Sequence, residues 1–310
     1  MMNYSSQELQ PRVSVITVVL NAEKVIERCI KSVLSQTYQN IEYIIVDGDS
    51  TDRTLQIVDQ YRDRIDILVS ERDNGVYDAM NKGCQLSHGD YIIMLNSDDF
   101  FTPDAIELSV DAIMRNGADY SGAPAFIVDE NGTIKYTYWP NCFDKSAYVA
   151  QNPCAHETML VSRIAYEDIG GYDTRYKIAA DLKFELELIR RDYIVAKLEK
   201  PILYFTDGGL SSNEEATRLE VVDVLSQYLS IPRYYIEAIV LMLNKGLISQ
   251  ETTMFFSDKS MLEKLPTEVL SYLATGLYYK YLAELNTSSP VKSFNRLLGQ
   301  IKRTVKKIML

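Results

Sequence analysis

The stretch Val13-Ser-Val-Ile-Thr-Val-Val19 decides the fold of the first part of the chain. Its continuous run of β-branched residues is typical of a strand buried on both faces. Residues 22–36 then carry apolar side chains at a helical spacing, and the change from strand to helix repeats as far as residue 115. This alternation predicts an α/β fold with a mostly parallel sheet flanked by helices.

The remaining predicted elements divide the chain into three parts. Further strands are expected at 41–46, 65–69 and 91–95, with helices at 50–61, 76–86 and 103–115. After Asn116 the pattern predicts a hairpin, with strands at 120–128 and 133–139 around the turn Asp129-Glu-Asn-Gly132. From Ser212 onward the pattern is helical. We therefore expect an α/β domain over 1–212, a helical extension over 213–287, and a linker with a last helix over 288–310.

The composition limits the classes of ligand. The chain has 310 residues, a hydrophobic share of 46% that is ordinary for a globular protein, and a formal net charge of −11. Nonspecific binding to nucleic acid requires a basic surface, so the charge argues against it. An anionic ligand such as a pyrophosphate would be repelled unless a bound cation or a local basic group intervened.

The cysteines and the hydropathy pattern predict a cytoplasmic protein. Cys29, Cys84, Cys142 and Cys154 lie far apart without a C-x-x-C pair, which favours reduced thiols over a disulfide framework or a zinc site. The first ten residues have no basic region followed by an apolar run, so no signal peptide is expected. No window approaches the roughly 18 apolar residues of a membrane-spanning helix.

Polar side chains follow each of the first four predicted strands. They comprise Thr17 and Asn21, then Asp47-Gly-Asp-Ser-Thr-Asp52, then Glu71-Arg-Asp-Asn-Gly75, and finally Asn96-Ser-Asp-Asp99. Ligands of open α/β sheets bind outside the carboxyl ends of the parallel strands, which would place these groups around one crevice. Asp, Asn and Gly are also ordinary turn residues, but four such strand ends in succession favour a binding site.

The adjacent carboxylates Asp98 and Asp99 give the strongest single indication of chemistry. Neighbouring carboxylates repel each other unless a cation is present. Mg²⁺ or Mn²⁺ is commonly held by one or two carboxylates while substrate phosphates supply further ligands. We therefore predict a divalent-cation site on Asp98 and Asp99. The alternative is that Asp99 caps the following turn.

The run from Val13 to Asp99 resembles the family 2 glycosyltransferases, a large group of inverting bacterial enzymes with the GT-A fold. Six motifs match in order and spacing: Val13-Ser-Val-Ile-Thr-Val-Val-Leu-Asn21, Ser32-Val-Leu-Ser-Gln-Thr-Tyr38, Val46-Asp-Gly-Asp-Ser-Thr-Asp52, Asn74-Gly-Val-Tyr-Asp-Ala-Met-Asn-Lys-Gly83, Gly89-Asp-Tyr91 and Leu95-Asn-Ser-Asp-Asp99. A second block, from Gly170-Gly-Tyr-Asp173 to Ile178-Ala-Ala-Asp181, is also similar. The resemblance covers about residues 11–212, and no motif covers the helical end.

The resemblance implies roles for individual residues. The nucleotide-sugar site would include Thr17, Asn21, Asp47, Asp73, Asn81 and Asp98, with Asp47 on the base. Asp99 would bind the metal and the diphosphate, with Asp98 facing the ribose or the metal. His156 is interpreted either as a contact to the donor phosphate or the acceptor, or as an ordinary loop residue. Relatives often carry His-Gln where this chain has His156-Glu157, which leaves the role of Glu157 open.

The resemblance also implies a reaction. A sugar would pass, with inversion, from a nucleotide-diphosphate sugar, expected to be UDP-linked, to an acceptor hydroxyl. Asp181 aligns with the family's catalytic base, and its alternative role is to cap the helix 182–190. Relatives of this kind build bacterial surface polysaccharides or glycolipids, often on lipid-linked acceptors.

Two other functions compatible with the carboxylates are a metal-dependent sugar-nucleotide phosphohydrolase and an inactive sugar-nucleotide-binding protein. A nicotinamide dehydrogenase is excluded because no G-x-G-x-x-G follows the first strand, and a P-loop is absent.

The last twenty residues differ in charge from the rest of the chain. Val291–Leu310 holds six basic residues and no acid, with apolar residues on one helical face. Such a helix can lie in an anionic membrane surface, so we expect peripheral attachment to the inner face of the membrane. The alternative is docking on the acidic body of the same chain or of a partner subunit, which leaves a homo-oligomer open.

Overall fold

The computed structural model describes residues 10–140, 154–209, 213–245 and 250–266, with Val269 and Leu273. The chain divides into two compact units, with the boundary after Ser212. The described part of the first unit comprises residues 10–140 and 154–209, and that of the second begins at Asn213. The predicted linker and basic helix over 288–310 lie outside the described residues.

The first unit contains two sheets. Its strands are β1 (Val13–Val19), β2 (Ile41–Asp47), β3 (Ile67–Ser70), β4 (Tyr91–Asn96), β5 (Phe100–Phe101), β6 (Tyr120–Gly122), β7 (Ala125–Val128), β8 (Ile134–Tyr138), β9 (Val161–Ser162), β10 (Val195–Lys197) and β11 (Leu203–Thr206). The larger sheet has the order β10-β6-β9-β4-β1-β2-β3 and is parallel except at β9. The smaller has the order β5-β11-β7-β8. The predicted mostly parallel α/β fold is confirmed.

Helices connect the strands of the larger sheet. They are α1 (Ile26–Leu34), α2 (Thr54–Val58) with the 3₁₀ helix Asp59–Arg64, α3 (Val76–Leu86), α4 (Ala105–Asn116), α5 (Arg163–Ile169) and α6 (Ala180–Arg190). A short 3₁₀ helix, His156–Thr158, precedes β9. All seven residues of β1 are buried, which explains why its sequence has no polar alternation.

The register brings the strand ends together. Val19 of β1 pairs with Asp47 of β2, and Asp47 pairs in turn with Ser70 of β3. On the other side of β1, Val18 pairs with Asn96, the last residue of β4. Because all four strands are parallel, the polar residues that follow them lie along one edge of the sheet.

The prediction of one strand over 120–128 is wrong. The segment breaks at Ala123-Pro124, so that β6 joins the larger sheet and β7 joins the smaller one. Proline has no N–H to donate to a ladder, and it ends the pairing of β6. The hairpin itself is present, since β7 and β8 pair in antiparallel fashion.

The second unit is helical where it is described. Its helices are α7 (Glu214–Leu229), α8 (Arg233–Lys245), α9 (Gln250–Ser257) and α10 (Lys259–Leu262). The side chain of Asn213 accepts a hydrogen bond from the amide of Ala216 and caps α7. Within the described ranges of the chain, no helix is long and apolar enough to cross a membrane.

The three described cysteines are buried. Cys29, Cys84 and Cys154 form no disulfide with one another. Burial raises the pKa of both Cys29 and Cys84 to about 12, so their thiols stay protonated at neutral pH. Cys142 lies outside the described residues.

Gly89 permits a close approach between two chain segments, which gives a first testable prediction. A methyl group on this residue would lie 2.6 Å from the backbone nitrogen of Ser14 and 2.8 Å from the carbonyl of Arg12. Backbone atoms cannot rotate away from the added methyl group as a side chain can. Gly89→Ala should therefore lower the free energy of unfolding by about 1–3 kcal/mol in urea titrations. Gly209→Ala is the control, because its nearest neighbour would be 4.0 Å away. Equal losses in the two variants would contradict the steric explanation.

Candidate active site

The acid pair Asp98 and Asp99 lies between the two sheets, in the turn from β4 to β5. The amide of Thr206, at the end of β11, donates a hydrogen bond of 2.7 Å to Oδ1 of Asp99. The Thr206 hydroxyl donates a bond of 2.6 Å to the carbonyl of Asp98. Asp99 is only 1% exposed. Its carboxylate therefore has a fixed position at the edge where the parallel strands end.

Arg28 of α1 ties this turn to the hairpin of the smaller sheet. Its guanidinium donates to the carbonyl of Asp98 at 3.1 Å and to the carbonyl of Glu130 at 3.5 Å. It also lies over the ring of Phe100, with 4.3 Å between the guanidinium carbon and the ring centroid. Arg28 and Thr206 are functional candidates that the sequence analysis missed, because both act through contacts distant in sequence.

The acid pair carries negative charge that the surrounding protein compensates poorly. Burial raises the pKa of Asp98, and the neighbouring charge of Glu157 raises it further. The pKa of Asp99 is raised well above its ordinary value by burial first, and then by the charges of Glu157 and Asp98. A bound cation would reverse these shifts by favouring the ionised carboxylates.

The residues present fit a hexacoordinate cation that keeps ligands from water and phosphate. Among the described residues, no three His, Cys, Asp or Glu side chains converge on one point, so a closed protein cage is not available. Mg²⁺ and its analogues need only one or two carboxylates when a substrate phosphate is present. Nearby, the buried Oδ1 atom of Asn96 has no hydrogen-bond partner within the described part of the chain. Asp98 and Asp99 are the residues that would hold the ion.

A second polar pocket lies at the ends of β2 and β3. Oδ2 of the fully buried Asp47 accepts hydrogen bonds from the amide of Ser50 at 3.0 Å and the hydroxyl of Ser70 at 2.7 Å. Its Oδ1 has no partner among the residues that are described. A methyl group on Gly48 would lie 2.4 Å from Asp73, so glycine admits the second carboxylate. The structure thus brings the predicted residues Asp47 and Asp73 together.

Thr17 and Asn21 occupy different environments. Thr17 is fully buried in β1, with its hydroxyl 3.2 Å from the hydroxyl of Tyr43 and 3.7 Å from the sulfur of Cys29. It contributes to the core beneath the crevice. Asn21 is exposed in a left-handed conformation with φ of 52°, and its Oδ1 accepts a bond of 2.8 Å from the amide of Thr51. Asn21 therefore joins the ends of β1 and β2 at the rim of the pocket.

The amide of Asn81 is engaged by protein groups. Its Nδ2 donates to the carbonyl of Tyr172 at 2.8 Å, and its Oδ1 accepts from the amide of Tyr172 at 2.9 Å and the hydroxyl of Tyr166 at 2.8 Å. These bonds fasten α3 to the segment that leads into α6. These contacts give Asn81 a supporting role for that segment, and its contact to the nucleotide sugar stays a prediction.

Asp181 is the second residue of α6 and lies in the first turn of the helix. Ala179 occupies the position before the helix, so Asp181 is not the residue that begins it. The hydroxyl of Tyr77 donates to Oδ1 of Asp181 at 3.1 Å and to the carbonyl of Ile178 at 2.7 Å. Burial raises the pKa of Asp181, while the charge of His156 opposes this rise. A carboxylate with a raised pKa is a stronger proton acceptor than an exposed one.

His156 and Glu157 form a buried ion pair. Nδ1 of His156 lies 3.1 Å from Oε2 of Glu157, and both side chains are at most 10% exposed. Burial alone would lower the pKa of His156, but the charge and hydrogen bond of Glu157 raise it to about 9. His156 is therefore cationic at neutral pH. Its Nε2 is buried and has no hydrogen-bond partner within the described ranges.

Asp173, another carboxylate near the start of α6, has a structural environment. It forms ion pairs with Lys183 and with Arg175, the latter at 2.7 Å. The side-chain hydrogen bond from Arg175 is the main cause that lowers its pKa, with Lys183 adding to the effect. A carboxylate held by two cations is a poor base, which leaves Asp181 as the better candidate.

Comparisons with known proteins show what this chain is similar to. Residues 14–165 match the family described as Glycosyl transferase family 2. The "PGL/p-HBAD biosynthesis glycosyltransferase" of Mycobacterium bovis is 29% identical over 211 residues, which cover 65% of this chain and 80% of that protein. The chondroitin synthase of Escherichia coli is 32% identical over 187 residues, which cover 57% of this chain and 26% of the relative.

Solved structures show the same fold. S. aureus TarS 1-349 in complex with UDP-GlcNAc has a TM-score of 0.62 at 16% identity, covering 94% of this chain and 92% of that one. The mannosyltransferase PcManGT of Pyrobaculum calidifontis, in complex with GDP-Man and Mn²⁺, has a TM-score of 0.54 at 17% identity, covering 97% and 88%. The first unit thus has the GT-A glycosyltransferase fold. The family match over residues 14–165 and the glycosyltransferase relatives make this chain similar to the family 2 glycosyltransferases.

A variant of Asn81 can distinguish a supporting role from a contact with the nucleotide. Asn81→Ala would leave the backbone amide and carbonyl of Tyr172 without their partners, at a cost of about 1–3 kcal/mol in the free energy of unfolding. The dissociation constant of UDP, measured by calorimetry, should change less than twofold. Asn116→Ala, on an exposed helix surface, is the control for stability. Loss of UDP affinity in a well-folded Asn81→Ala protein would return this residue to the donor site.

Proposed function

We propose that the protein transfers a sugar from a UDP-linked donor to an acceptor hydroxyl with inversion at the anomeric carbon, assisted by Mg²⁺ or Mn²⁺. The observation that carries this proposal is the placement of two kinds of carboxylate in one unit. Asp99 is buried and Asp98 half-buried in a fixed turn whose charge is poorly compensated, and Asp181 lies on a different element, where it is held by Tyr77. A transferase needs such a separation, because a metal-bound carboxylate is a poor base.

The pocket at the ends of β2 and β3 would bind the nucleoside. The unpartnered Oδ1 of Asp47 can accept a hydrogen bond from an N–H of the base, a contact that would relieve a buried acceptor. Asp73 lies against Gly48 and would border the same ligand. The UDP complexes of TarS support a uracil base, and the GDP-Man complex of PcManGT makes guanine the alternative to be tested.

The acid pair would hold the diphosphate through the divalent cation. The cation supplies positive charge that stabilises the diphosphate leaving group. Thr206 and Arg28 keep the two carboxylates in place, the first through its amide on Asp99 and the second through the carbonyl of Asp98. The Mn²⁺ in the PcManGT complex supports this use of the pair. Such fixed groups lose little energy to reorganisation as charge develops.

Asp181 would accept the proton of the acceptor hydroxyl. Burial raises its pKa and so increases its basicity, while the hydrogen bond from Tyr77 fixes the orientation of the carboxylate. Inversion requires attack from the face opposite the diphosphate, so we place the acceptor on the Asp181 side. The named roles of the relatives in PGL/p-HBAD and chondroitin synthesis support an acceptor that is itself a glycan or glycolipid.

The base assignment predicts a separation of binding from turnover. Asp181→Asn keeps the size of the side chain but cannot accept the proton, so kcat should fall by about 10²–10⁴. The dissociation constant for UDP in the presence of Mn²⁺ should change little, because the nucleotide contacts come from other strand ends. Radiolabelled UDP-sugars with a panel of glycan acceptors measure the first quantity, and calorimetry the second. If UDP binding collapses with turnover, Asp181 is a donor or structural residue.

The cation assignment predicts that UDP binding and turnover are lost together. Asp99→Asn removes one charge from the pair at nearly constant shape, so Mn²⁺-dependent UDP affinity and turnover should both fall at least about tenfold. Asp73→Asn, in the nucleoside pocket, is the control, and its effect on UDP affinity should be the same with and without the metal. Full wild-type turnover in excess chelator would overturn the role of the cation.

A further inference from the structure

Glu157 lies where its charge reaches the acid pair. Its side chain is buried, and its Oε1 accepts a hydrogen bond from Nδ2 of Asn96, the last residue of β4 and two residues before Asp98. Among the neighbouring acids, Glu157 has the largest effect in raising the pKa of both Asp98 and Asp99. Yet Glu157 does not join the pair in a convergent three-residue cluster. Glu157 therefore lies beside the strand end that carries the pair without forming a three-residue metal cluster with it among the described residues.

The segment that carries Glu157 is rigidly placed. Thr158, the next residue, is fully buried, and its hydroxyl accepts from the amide of Ala123 and donates to the carbonyls of Ala123 and Ala155, at 3.1 Å and 2.7 Å. The 3₁₀ helix therefore has bonds to β4 through Asn96 and to the turn after β6 through Ala123. Because the segment is held in this way, the Glu157 carboxylate cannot move into water to lower its desolvation energy.

The His156–Glu157 pair is oriented relative to the two functional groups. The charge of Glu157 is felt at Asp98 and Asp99, whereas His156 has the larger effect on Asp181, where it favours the ionised carboxylate. The negative end of the pair is bonded to Asn96, two residues before Asp98, and the positive end lines the same cavity as the predicted base Asp181. His156 also lets Glu157 stay ionised in a buried place, because the two charges compensate each other.

From this geometry we propose that Glu157 is a positioning residue for the divalent cation: its buried charge, compensated on the far side by His156, strengthens the hold of Asp98 and Asp99 on the ion without ligating it. The inference rests on the proposed glycosyltransferase function. It differs from a purely structural role for the ion pair, which would affect the stability of the fold and leave cation affinity unchanged.

The test is the affinity of the intact protein for Mn²⁺ in the presence of UDP, measured by calorimetry. Glu157→Gln keeps the shape and removes the charge, so the dissociation constant for Mn²⁺ should rise by about tenfold. Glu157→Asp keeps the charge on a shorter side chain and should retain most of the affinity. Glu185→Gln is the matched control, since Glu185 is equally buried on α6 and is not among the main charges that raise the pKa of Asp98 or Asp99.

The outcomes separate the two proposals. If the wild-type protein shows no Mn²⁺-dependent UDP binding, the proposed function fails. If the wild-type protein binds both and Glu157→Gln binds Mn²⁺ with the wild-type constant, the role of Glu157 is overturned. Equal losses in Glu157→Gln and Glu185→Gln would also overturn it, because the effect would then reflect general packing. Circular dichroism checks folding, and if Glu157→Gln fails to fold, weak Mn²⁺ binding by a folded Glu157→Asp protein counts against the proposal.

Discussion

One electrostatic constraint governs the candidate site, the burial of Asp99 in the turn that follows the apolar centre of β4. The amide of Thr206 satisfies one oxygen of this carboxylate, but a single neutral donor cannot compensate a buried negative charge. Asp98 and Glu157 increase the imbalance. The excess charge at this edge of the sheet is held in a turn that Thr206 and Arg28 fix in place.

The smaller sheet supports the turn that carries Asp98 and Asp99. β11 supplies Thr206, and the hairpin of β7 and β8 supplies the carbonyl of Glu130 that Arg28 reaches. Arg28 itself comes from α1, on the larger sheet. One side chain and one backbone amide thus join two sheets at the carboxylates, so the relative position of the sheets also determines the position of the acids.

The sequence predicted those features of the fold that depend on residues close together in the chain. The β-branched run of β1 predicted a doubly buried strand, and the polar residues after the first four strands predicted one crevice, which stays a prediction. Glu157 stood out in sequence only as a departure from a His-Gln pattern, and its contact with Asn96 spans 61 positions. Thr206 and Arg28 reach the acid pair across more than 65 positions, and no local pattern signals such a contact. The division of 120–128 between two sheets likewise follows from tertiary pairing at Pro124.

The buried thiols Cys29 and Cys84 can report on local opening of the fold. The sulfur of Cys29 lies 3.7 Å from the hydroxyl of Thr17 in β1, and Cys84 lies on α3, which supports the segment leading to Asp181. Because both stay protonated and shielded in the closed fold, a thiol-reactive dye reaches either one only when the surrounding structure opens. The alkylation rate of Cys29 therefore measures how often the structure opens around β1, and that of Cys84 measures how often it opens around α3.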